Sequence, residues 1–434
     1  MAATWASFGT QASAPAHSTD VTAGCAGLFT DLHRSPTDSD DLTVRVALLW
    51  YNPSSRNLGV QALAHAQLRQ LASYSDLQVE IVPIGNRADW SDASQQFASV
   101  AILDPVVADL RTLEAGLVGR GPLARALSSC DVAIANSEGD SFSDIYGLKR
   151  FAVIAGLYEI ALRRQVPLLL SPQTIGPFAH PMVRRWAKSL MKRSVLVATR
   201  DLLSLERVRS LGVTALLATD MALHPLLERE VPESVSTIAL NVSGLLWSNE
   251  HPQARGISAR TRYRELMVAV ATSLLERDCR LRMVPHVVEP VGHPESDLGA
   301  SVELRQILLG RDNSSQDIEI FVPASFAAGQ DAMRGVDGAV TGRMHAAVSA
   351  FGVGTPVVPL DYSSKALGLF GSLGYDFTLS LDASVDGEAV RALLEAAIQS
   401  PTQLGLAMSV ARGRQQGWHR ALGEWLSGGG GGSY

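Results

Sequence analysis

Three side chains that carry positive charge, or can acquire it, lie close together near residue 350 of this chain. Arg343 and His345 are two positions apart, and Lys365 follows twenty residues after the histidine. Guanidinium, imidazolium and ammonium groups bind phosphate and carboxylate, and arginine is preferred because its donors form a planar fork. This combination predicts a binding site for a small anionic substrate.

The segments around these residues predict how they are brought together. Residues 337–340 are typical of a buried strand, 345–351 of a helix, and 356–360 of a second strand that ends shortly before Lys365. Where a strand passes into a helix, free backbone N–H groups and the positive end of the helix dipole favour anions. The carboxyl ends of adjacent parallel strands face one crevice, so we expect the three side chains to converge there.

The rest of the chain repeats this alternation of short apolar runs and longer helical patterns, which is typical of βαβ units. Further strands are predicted at 44–51, 77–84, 131–135, 167–170, 195–198, 216–218, 237–242, 280–285 and 318–322. Further helices are predicted at 60–73, 146–164, 202–211, 262–276, 301–309, 387–400 and 401–426. The predicted fold class is α/β, with two Rossmann-like domains that face a cleft in a glycosyltransferase-B-like arrangement.

This pattern also predicts how the chain is divided. The predicted segments are a mobile N-terminal arm at 1–42, an N-terminal α/β domain at 43–230, a C-terminal α/β domain at 236–382, helices that cross back at 383–426 and a flexible tail at 427–434. A chain of 434 residues exceeds the size at which one core keeps growing, which agrees with two domains.

Composition excludes several classes of protein. A net charge of −6 argues against a nucleic-acid binder, and no apolar run approaches the ~18 residues of a membrane span. Cys25, Cys130 and Cys279 are odd in number and far apart, which predicts neither a disulfide framework nor a metal site and indicates a cytoplasmic protein. No His, Cys and Asp group has metal-ligand spacing and no phosphate-binding Gly-Lys-Ser/Thr loop is present, so no metal or cofactor is expected.

The order of motifs resembles that of the polysaccharide pyruvyl transferase family. The motifs that carry the resemblance are Asn57-Leu58-Gly59, Gly139-Asp140-Ser141 with Asp144, Gln173-Thr174-Ile175-Gly176-Pro177, Thr199-Arg200-Asp201 with Ser204, Asp220-Met221-Ala222, Arg343-Met344-His345 and Tyr362-Ser363-Ser364-Lys365. The resemblance implies a transferase that moves the enolpyruvyl unit of phosphoenolpyruvate onto two sugar hydroxyls, forms a cyclic pyruvate ketal and releases phosphate. It places phosphoenolpyruvate on the C-terminal domain and a sugar or glycan acceptor on the N-terminal domain.

Phosphoenolpyruvate carries both a phosphate and a carboxylate, and Arg343 is the predicted ligand for one of them. His345 is the predicted acid for the methylene carbon, because imidazole can hold a proton near neutral pH. Lys365 is expected to neutralise the leaving phosphate. Arg200 is a further candidate for the anion site.

The acceptor side needs a base for the sugar hydroxyls. Asp140 and Glu138 are the candidates for this base, with Asp220 as another option, and Asp140 is the predicted catalytic residue among them. Carboxylates can also hold the sugar by accepting from its hydroxyls, and Asp220 is a predicted substrate-binding residue. Further substrate-binding residues are predicted at Asn57, Gly59, Gly139, Ser141, Gln173, His286, Tyr362 and Ser363.

Each of these residues also has a purely structural interpretation. Arg343 could bridge two strand-end carbonyls, and His345 could cap a helix. Lys365 could be an ordinary surface lysine, and His286 a buried structural histidine. Arg200 could pair with Asp201, and Asp140 or Asp144 could cap the helix that follows them.

Other functions on the same scaffold stay open. A glycosyltransferase that uses a nucleotide sugar is the first alternative, because fold alone does not exclude it. A relative that uses another phosphorylated donor is the second, and a non-catalytic glycan-binding or anion-binding protein is the third. The oligomeric state is open as well, with a homo-oligomer as one arrangement.

Overall fold

The computed structural model describes residues 42–223, 226–227, 235–248, 262–311, 317–381 and 385–428. The N-terminal arm predicted at 1–42 lies outside the described residues except for Leu42, and so does most of the predicted tail. The predicted boundary between the domains, between residues 230 and 236, falls mostly outside them too. The predicted division of the chain therefore stays a prediction.

The first half of the described chain forms a parallel sheet of eight strands. They are β1 (Leu42–Leu49), β2 (Leu77–Gly85), β3 (Ala101–Ile102), β4 (Val106–Val107), β5 (Val132–Ala135), β6 (Leu168–Gln173), β7 (Leu196–Thr199) and β8 (Leu216–Leu217). Their order is β3-β2-β1-β5-β6-β7-β8, and β4 pairs with β2. The central strands are apolar on both faces because helices cover both sides, and every residue of β5 is buried.

The second half forms a parallel sheet of six strands. They are β9 (Thr237–Asn241), β10 (Arg280–Met283), β11 (Ile318–Ile320), β12 (Gly338–Thr341), β13 (Val357–Asp361) and β14 (Leu379–Ser380), in the order β11-β10-β9-β12-β13-β14. Both sheets are open and parallel, so the prediction of an α/β fold with two Rossmann-like halves is confirmed.

Helices connect the strands in both halves. They are α1 (Leu58–Ala72), α2 (Ser91–Gln96), α3 (Leu110–Leu117), α4 (Gly121–Ser128), α5 (Leu148–Arg163), α6 (Pro181–Arg193), α7 (Leu202–Ser210), α8 (Gly244–Ser248), α9 (Tyr263–Leu275), α10 (Asp297–Leu309), α11 (Phe326–Arg334), α12 (Met344–Gly352), α13 (Lys365–Ser372), α14 (Gly387–Ile398) and α15 (Pro401–Leu426). None of the helices in the described part of the chain has the length and apolar character needed to cross a membrane.

The long helix α15 packs on both halves. Leu404 and Met408 in its first half join a core cluster of the second sheet, whereas Trp418 and Leu422 in its second half join a cluster under the first sheet. The Trp418 indole N–H also donates to Gln70 of α1. The C-terminal helix therefore contributes to both cores.

Several predicted bounds differ from the structure where local caps decide them. The helix predicted at 301–309 begins four residues earlier, because the Ser296 hydroxyl accepts from the Gly299 N–H and caps α10. The helices α2, α3, α4, α6, α8, α11 and α13 were not predicted. Most of them are short, so they carry little periodic signal.

Candidate active site

Arg343, His345 and Lys365 converge on one cavity of about 440 Å³. The N-cap of α12 is Arg343, two residues after the end of β12, and Lys365 is the first residue of α13, four residues after the end of β13. Since β12 and β13 are neighbouring parallel strands, their carboxyl ends bring the two helix starts together. The expected convergence at a strand-to-helix junction is therefore observed.

Residues of the first half form the opposite wall of this cavity. The predicted site residues on its lining are Asn57, Glu138, Asp140, Ser141, His286, Arg343, His345, Tyr362, Ser363 and Lys365. Cations from the second half thus face carboxylates from the first half. Such an arrangement can hold an anion on one side and a group with hydroxyls on the other.

Arg343 is held rigidly by a carboxylate that the sequence did not single out. The guanidinium donates from Nε and Nη2 to Asp297 Oδ1, at 3.0 and 2.9 Å, and from Nη2 to the Glu295 carbonyl at 2.9 Å. Burial opposes the charge of Arg343, but the carboxylate of Asp297 outweighs it and raises the pKa of the guanidinium. Among the described residues Nη1 has no hydrogen-bond partner, which leaves one edge of the fork for a ligand. The predicted bridge between two strand-end carbonyls is wrong, since an ion pair and one loop carbonyl hold the side chain.

Asp297 is the centre of a buried polar network behind the cavity. Its carboxylate is fully buried and accepts hydrogen bonds from the Asn241 amide and from the backbone N–H groups of Gly244, His286 and Val287. Asn241 in turn accepts from the Arg343 backbone N–H at 3.0 Å. One carboxylate at the start of α10 therefore orients residues from three strand ends, where the helix dipole also favours negative charge.

His345 lies between the cavity and a second buried carboxylate. Its imidazole is 16% exposed, and Nε2 is 3.5 Å from Asp220 Oδ2, an ion-pair distance that is long for a hydrogen bond. Asp220 also accepts from Arg200 Nη1 at 2.8 Å and from the Ala222 N–H. Burial raises the pKa of Asp220, but the charges of His345 and Arg200 outweigh burial and hold it well below its usual range. Asp220 therefore stays a carboxylate that can orient His345.

The first turn of α1 fixes His345 from the other side. Asn57 caps this helix with its side-chain oxygen, and the Leu58 N–H donates to the His286 carbonyl of the second half. A Cβ placed on Gly59 would lie 2.3 Å from Cγ and Nδ1 of the His345 ring. Only glycine allows this approach, so the role of Gly59 is to admit the imidazole.

Lys365 connects the two halves of the cleft. Its Nζ is 2.5 Å from Asp140 Oδ2 and 2.7 Å from the Tyr146 hydroxyl, which itself donates to Asp140 at 2.8 Å. Burial favours the neutral amine, but the charge of Asp140 outweighs it and raises the pKa of Lys365. The interpretation of Lys365 as an ordinary surface lysine is therefore wrong. Tyr146 was missed because nothing in its sequence context marks it.

The same ion pair predicts an acid-sensitive contribution to stability. Burial alone would raise the pKa of Asp140, but Lys365, and then Arg200, lower it from 3.8 to about 2. A carboxyl with a lowered pKa stabilises the fold above its unfolded value and loses that effect as the pH falls through the folded value. We expect Asp140 to contribute about 2 kcal/mol above pH about 4 and progressively less towards pH about 2.

Urea unfolding of wild type and Asp140→Asn across this pH range checks the prediction. The difference between the two proteins is expected to shrink as the pH falls. The exposed carboxyl of Asp104 provides the control Asp104→Asn, which should track wild type throughout. A difference between wild type and Asp140→Asn that is constant with pH would contradict the coupling between Asp140 and Lys365.

Other predicted substrate-binding residues lie behind the cavity wall. Arg200 and Asp220 are at most 1% exposed and pair with each other, and Gln173 is fully buried with its amide on the Ala135 and Ser171 carbonyls. Gly139 has φ +90°, and a Cβ placed on it would lie 2.7 Å from Leu63, so glycine is needed in the turn after β5. This geometry supports positioning roles, and not direct contact with substrate, for five of the predicted residues: Gly59, Gly139, Gln173, Arg200 and Asp220.

The structural interpretations proposed for the acidic motifs are also corrected. Asp201 caps α7 through the Ser204 N–H and does not pair with Arg200. Neither Asp140 nor Asp144 caps α5, whose N-cap is Gly147. Asp144 instead accepts from the Ala179 and His180 N–H groups.

His286 borders the cavity but is neutral. Burial is the main cause that lowers its pKa, to about 4, and its Nε2 is 2.9 Å from the Ser349 hydroxyl. Among the described residues its Nδ1 has no partner. His286 is 1% exposed, which fits its interpretation as a buried structural histidine. No group of three or more His, Cys, Asp or Glu side chains that could hold a metal occurs in the described ranges.

Comparison with solved structures supports the fold assignment. The chain is similar to a protein assigned as a UDP-N-acetylglucosamine 2-epimerase from Listeria monocytogenes, with a TM-score of 0.57, 12% identity, and coverage of 89% of this chain and 96% of that one. The UDP-GlcNAc 2-epimerase from Neisseria meningitidis, solved with UDP-GlcNAc, gives a TM-score of 0.56 at 9% identity, with coverage of 89% and 100%. The enzyme from Methanocaldococcus jannaschii gives 0.55 at 10%, with coverage of 86% and 98%. These TM-scores, at identities of 9–12%, establish a shared glycosyltransferase-B-like fold and nothing beyond the fold.

Comparison of the sequence itself identifies the family. No curated protein sequence matches the chain. The family model described as polysaccharide pyruvyl transferase matches residues 57–364. This range begins at Asn57, the N-cap of α1, and extends to the residue before Lys365. The chain therefore belongs to the polysaccharide pyruvyl transferase family.

Proposed function

We propose that this protein transfers the enolpyruvyl unit of phosphoenolpyruvate onto two hydroxyls of a sugar or glycan and releases phosphate. The observation that carries the proposal is the convergence of Arg343, His345 and Lys365 on one cavity that faces Asp140. Phosphoenolpyruvate has two anionic groups on a three-carbon frame, so it needs several cations within a few ångströms. We also place the reaction in the reducing cytosol, as the cysteine pattern predicts.

The donor is bound by the second half of the cleft. Arg343 offers Nη1 to the carboxylate or the phosphate while Asp297 fixes its plane. Lys365 leaves Asp140 and pairs with the phosphate, which carries more charge than one carboxylate. His345, oriented by Asp220, donates a proton to the methylene carbon, so that the central carbon becomes electrophilic.

The acceptor completes the reaction in two steps, each of which forms a C–O bond. One hydroxyl forms a C–O bond to the central carbon, and its proton balances the one that the methylene carbon gained. The second hydroxyl then displaces the phosphate, which leaves with the second hydroxyl proton, and the ketal closes. Asp140 is the proposed base, because the departure of Lys365 removes the main charge that lowers its pKa.

Titration calorimetry with phosphoenolpyruvate tests the donor site. Wild type is expected to bind, and Arg343→Ala is expected to lose at least about tenfold in affinity, because one charge-assisted contact is worth roughly 1.4 kcal/mol. His345→Ala should bind phosphoenolpyruvate but release no phosphate in the presence of glycans. Circular dichroism shows whether each variant is folded.

Nucleotide sugars are the control ligands in the same experiment. Binding of a UDP-sugar by wild type, without binding of phosphoenolpyruvate, would overturn the proposal in favour of a glycosyltransferase. Binding of phosphoenolpyruvate with no phosphate release for any glycan tested would favour a non-catalytic relative.

A further inference from the structure

A second cavity of about 360 Å³ adjoins the candidate active site on the side of the first sheet. The two cavities share Glu138, Ser141, Tyr146 and Arg150 on their linings. The second one also includes Trp50, Asn86 and Lys149, and none of these three lines the first cavity. A molecule that reacts beside Asp140 can therefore extend into this second cavity, which we call the annex.

The backbone around the annex is strained at the carboxyl ends of two neighbouring strands. Trp50 follows β1 with φ +61°, and Ser137 and Glu138 follow β5 with φ +52° and +53°. Non-glycine residues rarely adopt these angles, and for a bulky residue such as tryptophan they are outliers. Strain of this kind is concentrated at ligand sites, where the surrounding structure holds it in place.

One residue that lines the annex, Trp50, carries a buried polar group. Trp50 is 5% exposed, and its indole N–H is buried without a hydrogen-bond partner among the described residues. Buried donors are normally satisfied, so an unpaired one at a cavity wall suggests a missing acceptor. A bound ligand or a water molecule that it orders would supply that acceptor.

The charges of the annex favour an anion. Glu138 is already neutralised, since it accepts from Arg150 at 2.5 Å and from Asn86 at 2.6 Å. Lys149 has no partner in the described part of the chain, and it lies in the first turn of α5, whose N-cap Gly147 provides no side-chain cap. The free N–H groups and the positive end of this helix add to the ammonium charge.

We infer that the annex binds an anionic substituent of the acceptor, so that the substrate class is a sugar bearing a phosphate or a carboxylate. The substituent contacts Lys149, while the sugar ring lies between Glu138 and the reaction centre. This inference rests on the proposed function, because it takes the bound sugar to be the acceptor of that reaction. The binding of an anionic sugar in the annex is nevertheless testable without any catalysis.

The indole N–H signal of Trp50 provides a test that does not depend on turnover. The signal is assigned by its loss in Trp50→Phe, and the protein is titrated with glucose 1-phosphate, glucuronate, glucose, inorganic phosphate and phosphoenolpyruvate. We expect the signal to shift with glucose 1-phosphate or with glucuronate, and much less with glucose. The stronger of the two active ligands shows whether the natural substituent is a phosphate or a carboxylate.

Variants separate the annex from nonspecific charge effects. Lys149→Ala should lower the affinity for the active ligand by about tenfold, as expected for the loss of one charged contact. Lys149→Arg should keep most of the wild-type affinity. Lys192, an exposed lysine at the end of α6, gives the control Lys192→Ala, which should leave the affinity unchanged.

Three results would overturn the inference. The first is an equal shift with glucose and with the charged sugars, and the second is an affinity that Lys149→Ala does not change. The third is a Trp50 shift with phosphoenolpyruvate that equals or exceeds the shift with the sugars, because the annex would then be a donor site. If phosphoenolpyruvate does not bind at all, the proposed function is wrong, but the sugar titration still tests whether the annex binds an anionic sugar.

Discussion

Asp297→Ala is expected to lower the free energy of unfolding by about 3–5 kcal/mol, because it leaves a buried guanidinium without its counter-ion. Arg343 is 13% exposed and Asp297 is fully buried, so water cannot replace the lost carboxylate. Three backbone N–H groups, those of Gly244, His286 and Val287, lose their acceptor as well. The same change should weaken phosphoenolpyruvate binding by up to about tenfold, since the plane of Arg343 is no longer fixed.

Urea denaturation and calorimetry of four variants measure this effect. They are Asp297→Ala, Arg343→Met, the combination of these two, and Asp337→Ala. Asp337 provides a matched control, because it is a buried aspartate that accepts from the Ser236 and Thr237 N–H groups at the start of β9, away from the cavity. Asp337→Ala should destabilise the protein but leave phosphoenolpyruvate affinity unchanged. Adding Arg343→Met to Asp297→Ala should restore part of the stability, because no unpaired buried charge is left.

A loss of less than about 1 kcal/mol in the free energy of unfolding of Asp297→Ala would contradict this account, because a loss that small is typical of a surface ion pair. The account would also be contradicted if the double variant lost as much free energy of unfolding as Asp297→Ala and Arg343→Met together. Residues in one buried network are expected to couple.

The sequence predicted the parts of this site that lie at regular strand ends. The carboxyl ends of β12 and β13 place Arg343, His345 and Lys365 together because the sheet is parallel and open, and that geometry follows from alternation alone. The motif residues Asn57 and Asp140 were found by their resemblance to a family, and they lie on the same cavity.

The positioning residues could not be predicted because they act through contacts that are distant in sequence. Asp297 is 46 residues from Arg343 and lies after an irregular segment in which no periodicity marks the start of α10. Tyr146 is 219 residues from Lys365. Its sequence context is that of a helix entry, although α5 begins two residues later. The exposure of each residue could not be predicted either, since Arg200 and Asp220 lie in family motifs but are buried against each other.

Gly59→Ala is expected to reduce turnover about a hundredfold, because displacement of a catalytic group by about 1 Å can have that effect. The added Cβ would lie 2.3 Å from the His345 ring, and real Cβ atoms do not approach other atoms so closely. The helix α1 cannot retreat easily, since its first turn is tied to the second half by the Leu58 N–H and by the pairing of Asn57 with Val287. The imidazole is then the group that moves, away from its position beside Asp220.

Gly413→Ala is the matched control for this substitution. Gly413 lies in α15 with open space around it, so its substitution should stabilise the helix by up to about 1 kcal/mol and leave turnover unchanged. Phosphate release in the presence of phosphoenolpyruvate and an acceptor measures turnover, and calorimetry measures donor affinity.

The His345 ring-proton signals, assigned with His345→Ala, report the displacement directly. They should shift in Gly59→Ala and not in Gly413→Ala, whether or not an acceptor has been identified. Because Arg343, the proposed donor ligand, is held by Asp297 and not by α1, phosphoenolpyruvate affinity should change far less than turnover. If Gly59→Ala keeps both the ring signals and the turnover of wild type, then α1 does not position His345, and the glycine serves only the packing of the two halves.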